Sequence, residues 1–269
     1  MPRTLLVIGS PQLAPFLRTG DGYDVREVEG WREIAAAARR EPPSTLVLAE
    51  PFTAAEQPDP GMRDFLLRMP SLPVVAAIDL GRAPVSAARE VLGWGISELL
   101  DLGLDRAPDS LICRLETAHA RPFKRRVDAG VSRHAQARAR TLIHAAAAVA
   151  VDGGLADDFA HVLGVHMKTM AEWCRRHGLP APRRLLAWMR VLLALMLLEE
   201  ADRTWRSVAG GCGYTNDANL RRTLTAMLGR VPSGQARQTW TFAHGIAAFN
   251  RELTECRELT RRGTDEVEP

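Results

Sequence analysis

Between Leu155 and Arg237 the chain repeats one pattern twice around a long apolar helix. The first copy reads FAHVLGVHMKTMAEWCRRHG, residues 159–178, and the second reads WRSVAGGCGYTNDANLRRTLTAMLG, residues 205–229. Each is a short helix, a glycine-bearing turn and a second helix with one apolar and one polar face. The helix between them, about residues 182–200, contains LLAWMRVLLALMLL at 185–198. One such unit is easily a coincidence. Two units with a rigid spacer predict an all-helical domain of double helix-turn-helix form.

In the first unit, residues 155–162 make the supporting helix, with Phe159 and Ala160 turned inward. Leu163-Gly164-Val165 is the turn, where glycine permits a positive φ. The second helix runs from His166 to His177. Met170, Trp173 and Cys174 recur at helical spacing and point inward, while Met167, Lys168, Ala171, Glu172 and Arg175 share the other face. Gly178 ends the helix, and Pro180 and Pro182 prevent its continuation.

In the second unit, Trp205 to Gly210 supports, Gly211 and Gly213 turn, and Asn216 to Leu228 is the second helix. Leu220, Leu224, Met227 and Leu228 form its apolar stripe. Asn216, Asp217, Asn219, Arg221, Arg222 and Thr225 are the polar remainder. In a helix-turn-helix the second helix enters the major groove of DNA. Asn and Arg pair bidentately with adenine and guanine edges. Asn216 and Asp217 fit a helix cap equally well. Arg222 also fits a phosphate or a neighbouring carboxylate.

The first 120 residues alternate strand and helix signals. Thr4–Gly9, Tyr23–Val28, Thr45–Ala49, Pro73–Ile78 and Ser97–Leu100 read as strands. Trp31–Arg40, Gly61–Met69, Pro84–Leu92 and Pro108–Ala120 read as helices. Short apolar strands with crossover helices predict a parallel sheet covered on both faces. Right-handed crossovers make it a flavodoxin-like, doubly wound five-stranded sheet. The fold class is thus α/β followed by all-α. Any ligand would sit at the carboxyl ends of the strands, where the sequence places Gly9, Ser10, Glu50, Asp79 and Asp101.

Charge divides along the same line. Residues 1–120 hold 12 arginines, no lysine and 17 acidic residues, a formal charge of −5, whereas residues 121–240 hold 19 basic and 9 acidic residues, +10. Only the second half suits a polyanion. Residues 121–132 (RPFKRRVDAGVS) read as a linker. Their basic cluster, Arg121, Lys124, Arg125 and Arg126, fits either phosphate contact or a solvated segment. Residues 133–151 read as a helix. A last helix is expected over Trp240–Leu259, packed on the second unit rather than dimerising, followed by a frayed polar tail from Arg261. Four widely spaced cysteines suggest neither disulfides nor a zinc site. No apolar run approaches a membrane span. A cytoplasmic protein without a cofactor is expected.

Two resemblances follow. Residues 1–120 resemble a response-regulator receiver in topology and spacing. The receiver's acidic pair is replaced by Gly9, Ser10 and Pro11. Glu50 stands at the phosphate-accepting aspartate, Asp79 near the hydroxyl residue, and no lysine follows strand five. Phosphoryl transfer onto a carboxylate needs a magnesium ion and a cation, so the domain is expected not to be phosphorylated. Glu50 then mimics a permanently charged state, binds metal with Asp79 and Asp101, or is one of three solvated carboxylates. The last is the plainer reading.

Residues 133–239 are similar to the AraC/XylS family of transcription regulators. The likeness rests on the first unit, the long helix, Gly213-Tyr214 and the Gly-x-V-P-S run from Gly229 to Ser233. Leu220 and Leu224 stand where phenylalanine is usual, and His166 where Ser or Thr often caps the reading helix. Arg222 matches the family. The resemblance implies two reading helices in adjacent major-groove segments of double-stranded DNA, often with bending. A spacer near twenty residues is about 28 Å long, against about 34 Å between successive groove faces. A homodimer, through the segments 84–92 and 108–120, and RNA polymerase are the further partners it implies. No enzymatic chemistry is expected. The alternatives are an adaptor that binds proteins and no longer binds DNA, and a switch gated by phosphate or metal at Glu50.

Overall fold

Five short apolar runs become five parallel strands: β1 (Arg3–Ile8), β2 (Tyr23–Glu27), β3 (Leu46–Ala49), β4 (Val74–Ile78) and β5 (Glu98–Asp101). Their order is β2-β1-β3-β4-β5, every neighbour parallel, an order compatible with a flavodoxin-like sheet. The structure, a computed structural model, describes residues 3–8, 22–38, 45–53, 56–105, 107–132, 136–200, 203–230 and 239–265. Gly9, Ser10 and Pro11 lie outside the described residues, as do Val231, Pro232 and Ser233.

The period-2 alternation of a strand divides the side chains of the sheet between two cores. Leu6, Val47, Val74, Ala76 and Ile78 pack with Ile34 of α1 (Trp31–Ala38), Met62 and Phe65 of α2 (Pro60–Arg68) and Val91 of α3 (Val85–Gly93). Leu5, Val7, Leu48, Val75 and Leu100 pack with Leu111, Leu115 and Ala118 of α4 (Pro108–His119). Both faces are therefore covered, as the near-continuous apolar strands require. Asp59 caps α2 by accepting from the Gly61 amide (2.8 Å) and also receives the indole N–H of Trp31 (2.7 Å), tying α1 to α2.

Two compact units divide the chain, Met1–Pro122 and Phe123–Pro269. The expected linker at 121–132 is instead largely helical, as α5 (Arg121–Gly130). Phe123 and Val127, one turn apart, are fully buried and give the helix an apolar stripe. Pro122 sits in the first turn, where a missing N–H is tolerated. Two arginines of the basic cluster, Arg121 and Arg126, make contacts within the protein. Arg121 donates to the Ser97 carbonyl and pairs with Glu98. Arg126 pairs with Glu199 and lies 4.6 Å over the Phe242 ring.

Every described element of the second unit is helical: α6 (Ala137–Val151), α7 (Ala156–Val162), α8 (Met167–Arg176), α9 (Pro182–Leu198), α10 (Trp205–Gly211), α11 (Asp217–Leu228) and α12 (Phe242–Asp265). Helix α9 is apolar on all sides and packs against α6, α7, α8, α10 and α12. Its 17 residues give a length of about 26 Å, slightly below the expected spacer. It stops at Leu198, where Glu200 and Arg203 form a buried ion pair (2.7 Å) in the turn toward α10. Helix α12 runs six residues past its expected end, into the supposed tail. Glu and Arg at 255, 257, 258, 261 and 262 are good helix formers, and the Arg–Glu alternation that resembles a solvated tail is also that of an exposed helix face.

No helix among the described residues is long and apolar enough to cross a membrane. The Glu200 and Arg203 side chains are 3% and 1% exposed, and removing Glu200 takes a buried ion-pair partner from Arg203. Glu200→Ala is expected to destabilise the helical unit by about 3–5 kcal/mol. Urea denaturation followed by far-ultraviolet dichroism checks this, and an unchanged midpoint would contradict it.

Candidate nucleic-acid interface

The two helix pairs, α7–α8 and α10–α11, are closed by the same turn. The Gly164 amide donates to His161 O (2.9 Å) and the Val165 amide to Ala160 O (3.1 Å); the Gly213 amide donates to Gly210 O (3.1 Å) and the Tyr214 amide to Ala209 O (2.9 Å). In both, a 6→1 bond closes the helix and a glycine holds the left-handed backbone, φ +65° at Gly164 and +75° at Gly213. Gly211, expected in the second turn, is the last residue of α10 instead; Gly213 alone makes the reversal.

Arg190 of α9 links the pairs. Its guanidinium donates to the carbonyls of Gly154 (2.6 Å) and Gly153 (3.4 Å), which precede α7. A Cβ at Gly213 would stand 3.6 Å from Gly153 O and 3.8 Å from Arg190 Nη2. The turn of the second pair thus lies directly against the loop that opens the first.

In α7 and α8 the inward residues are as expected: Phe159, Ala160, Met170 and Cys174 are buried, and Trp173 is half-buried. Burial pushes the Cys174 thiol up to about 12, so it stays protonated. His166 caps α8, its Nδ1 accepting from the Lys168 amide (3.2 Å) in the place of a hydroxyl. On the outer face Lys168, Ala171 and Arg175 are exposed, and Met167 and Glu172 half-buried. Glu172 is occupied: Arg175 donates to it twice (2.7 and 3.2 Å) and Arg176 lies 3.5 Å away. The hydrogen bond from Arg175 holds the Glu172 carboxyl below the usual carboxylate range and raises Arg175 in turn. Glu172 thereby orients Arg175 rather than standing as an open acceptor. Next to this end His177 is pushed down, by burial and then by the charges of Arg138 and Arg176.

In α10 and α11 Leu220 and Leu224 are buried and Met227 and Leu228 half-buried. Asn216 is the N-cap, its Oδ1 accepting from the Asn219 amide (2.8 Å). The two arginines part company. Arg221 stacks 4.0 Å over the Trp205 ring and lies 3.8 Å from Asp217. Trp205 in turn meets Trp240 edge-on, centroids 6.3 Å apart. Arg222 donates to Asn219 Oδ1 (3.1 Å), and the Asn219 side-chain amide donates to Thr215 Oγ1 (2.6 Å). Thr215, Asn219 and Arg222 therefore form a preset polar ladder, while Arg221 braces α11 to α10. Thr225 is half-buried on the same helix. Burial raises the Tyr214 hydroxyl to about 12, with its hydrogen bond to Thr223 acting the other way.

Among the described residues no group of three or more His, Cys, Asp or Glu that could hold a metal ion occurs. Asp79 accepts from the Gly81 amide (3.0 Å) and Asp101 from the Gly103 amide (2.8 Å), so each closes its own loop. Glu50 is exposed at the end of β3.

No protein-family model matches the chain, and a search of curated proteins finds no match.

Arg221→Ala is expected to destabilise the helical unit by about 0.5–1 kcal/mol, since it removes the stack on Trp205. Arg222→Ala, on the exposed face, is expected to stay within about 0.5 kcal/mol of the parent. Thermal melts of the two variants check this, and the reverse order would contradict the assignment.

Proposed function

We propose that the chain is a bacterial, sequence-specific DNA-binding transcription regulator. Helices α8 and α11 are its two reading helices, and α9 spaces them across adjacent major-groove segments. The supporting observation is the repeated construction: two helix pairs with one turn geometry, fixed to one buried helix, each presenting a polar outer face. Such a pair of units is the plan by which helix-turn-helix proteins dock. The +10 formal charge of residues 121–240 favours the same polyanion.

On this reading Lys168 and Arg175 contact phosphate or base edges in the first segment, with Met167 and Ala171 as small apolar neighbours. In the second, Arg222 is the stronger candidate for a guanine edge, since an arginine fork held in place loses less freedom on binding. Asn219 orients it, Asn216 caps the helix, and Thr225 lines the same face. The spacer, about 26 Å long, falls short of the roughly 34 Å between groove faces. Bending toward the protein closes that gap at a cost of a few kcal/mol.

The first unit is proposed as a pseudo-receiver that senses or self-associates without phosphorylation. Supporting this, the Asp79 and Asp101 carboxylates are engaged by loop amides. Homodimer formation and contact with RNA polymerase follow from the family resemblance alone.

Replacing both Lys168 and Arg175 with alanine is expected to weaken binding to every duplex. It should also flatten the slope of log affinity against log salt by about 0.9 for each phosphate no longer neutralised. Arg222→Ala is expected to cost about 1–3 kcal/mol on the preferred site and little on unrelated sequences. Fluorescence anisotropy across a salt series separates the two. Unchanged affinity and slope in the double variant would contradict the role of α8.

A further inference from the structure

Helix α12 lies across the helical unit in a way that the double-unit pattern does not require. Near its start the Phe242 amide donates to Glu199 Oε1 (2.8 Å), beyond the end of α9. At Gly245 it crosses α9 so closely that a Cβ would overlap Leu195 Cδ1. Asn250 bonds the Gly130 carbonyl and the Ser132 amide at the end of α5 (2.9 and 3.1 Å). Glu252 accepts a fork from Arg184 at the start of α9 (2.8 and 2.9 Å). The last turns reach the end of α8. A Cβ at Gly178 would stand 2.5 Å from Arg257 Cγ and 3.2 Å from Arg257 Cα. The Thr260 hydroxyl, whose single proton also faces Cys256 O one turn back in α12 (2.9 Å), lies 3.1 Å from the backbone carbonyl of Arg175.

Arg175 is thus held twice. Its side chain is oriented by Glu172 on the outer face, and its carbonyl is tied to α12. The same carbonyl also accepts from the Gly178 amide (3.1 Å), so Thr260 adds to a turn already closed at the end of α8. We propose that α12 is a splint for the first reading helix: Arg257 and Thr260 set the angle of α8 against α9, and so the spacing of α8 from α11. They are positioning residues and touch no DNA. The inference rests on the DNA-binding reading only for its functional consequence.

Gly178 provides the test, because its backbone is left-handed (φ +63°) and asparagine tolerates that conformation. Gly178→Asn therefore adds mainly the clash with Arg257. Three full-length proteins are compared: the parent, Gly178→Asn, and Gly178→Asn combined with Arg257→Ala, which removes Cγ. Amide hydrogen exchange is measured in all three. In Gly178→Asn the α8 amides should exchange about tenfold faster or more, as an overpacking cost produces in a local opening equilibrium. The α11 amides should be unchanged, and the second substitution should restore most of the protection. Equal acceleration in α11, or none in α8, overturns the splint.

The same proteins are then used to select duplexes from a random pool. The parent should yield two half-sites, Gly178→Asn only the half read by α11, and the double variant both again. Loss of both halves together, or retention of both, overturns the functional consequence. A parent that selects no motif overturns the DNA reading itself, and exchange still decides the splint.

Discussion

Thirteen of the 17 residues of α9 are buried, on every side of the helix. A helix with no polar face is stable in water only when other elements enclose it. That demand organises the second unit. Helices α6, α7, α8, α10 and α12 all gather on α9, and the two helix pairs acquire a fixed relation because both are bound to the same rod. Arg190 is the one partly exposed cation in its central turns, and it carries the loop before α7. The groups that the unit offers to solvent are therefore set by a core that never meets them.

Local side-chain contacts then decide what each outer face presents. Glu172 holds Arg175, Asn219 holds Arg222, and Trp205 holds Arg221. An exposed ion pair of the first kind is worth little in stability. Its effect is orientation, which lowers the entropy lost when a partner is bound. The same sequence of basic residues without these neighbours would offer equal charge and far less definite geometry. The first unit uses polar groups differently: Asp79 and Asp101 accept from amides of their own loops.

Much of the framework is legible in the sequence because its signals are local. The sheet announces itself in short apolar runs closed by Gly, Pro and acidic residues. The paired glycines at 164 and 213 mark both turns. The i, i+3 spacing of Glu172 and Arg175 is visible, although spacing alone does not fix their pairing. Three features escape for physical reasons. The cluster Lys124-Arg125-Arg126 masks the stripe of Phe123 and Val127, so a helix looks like a linker. The Glu- and Arg-rich end of α12 resembles a tail because its helix-forming composition is also that of solvated chain. The stack of Arg221 on Trp205 joins residues 16 apart through the fold of α10 onto α11, and no spacing rule in the sequence points to it.

The central claim is that α8 and α11 form one reader of fixed span. Selection of duplexes from a fully random pool by the full-length protein tests it most directly. The account predicts an enriched motif with two half-sites whose centres lie roughly one helical turn apart, at a separation that does not vary among the selected molecules. A single short half-site, half-sites at variable spacing, or no enrichment would contradict it.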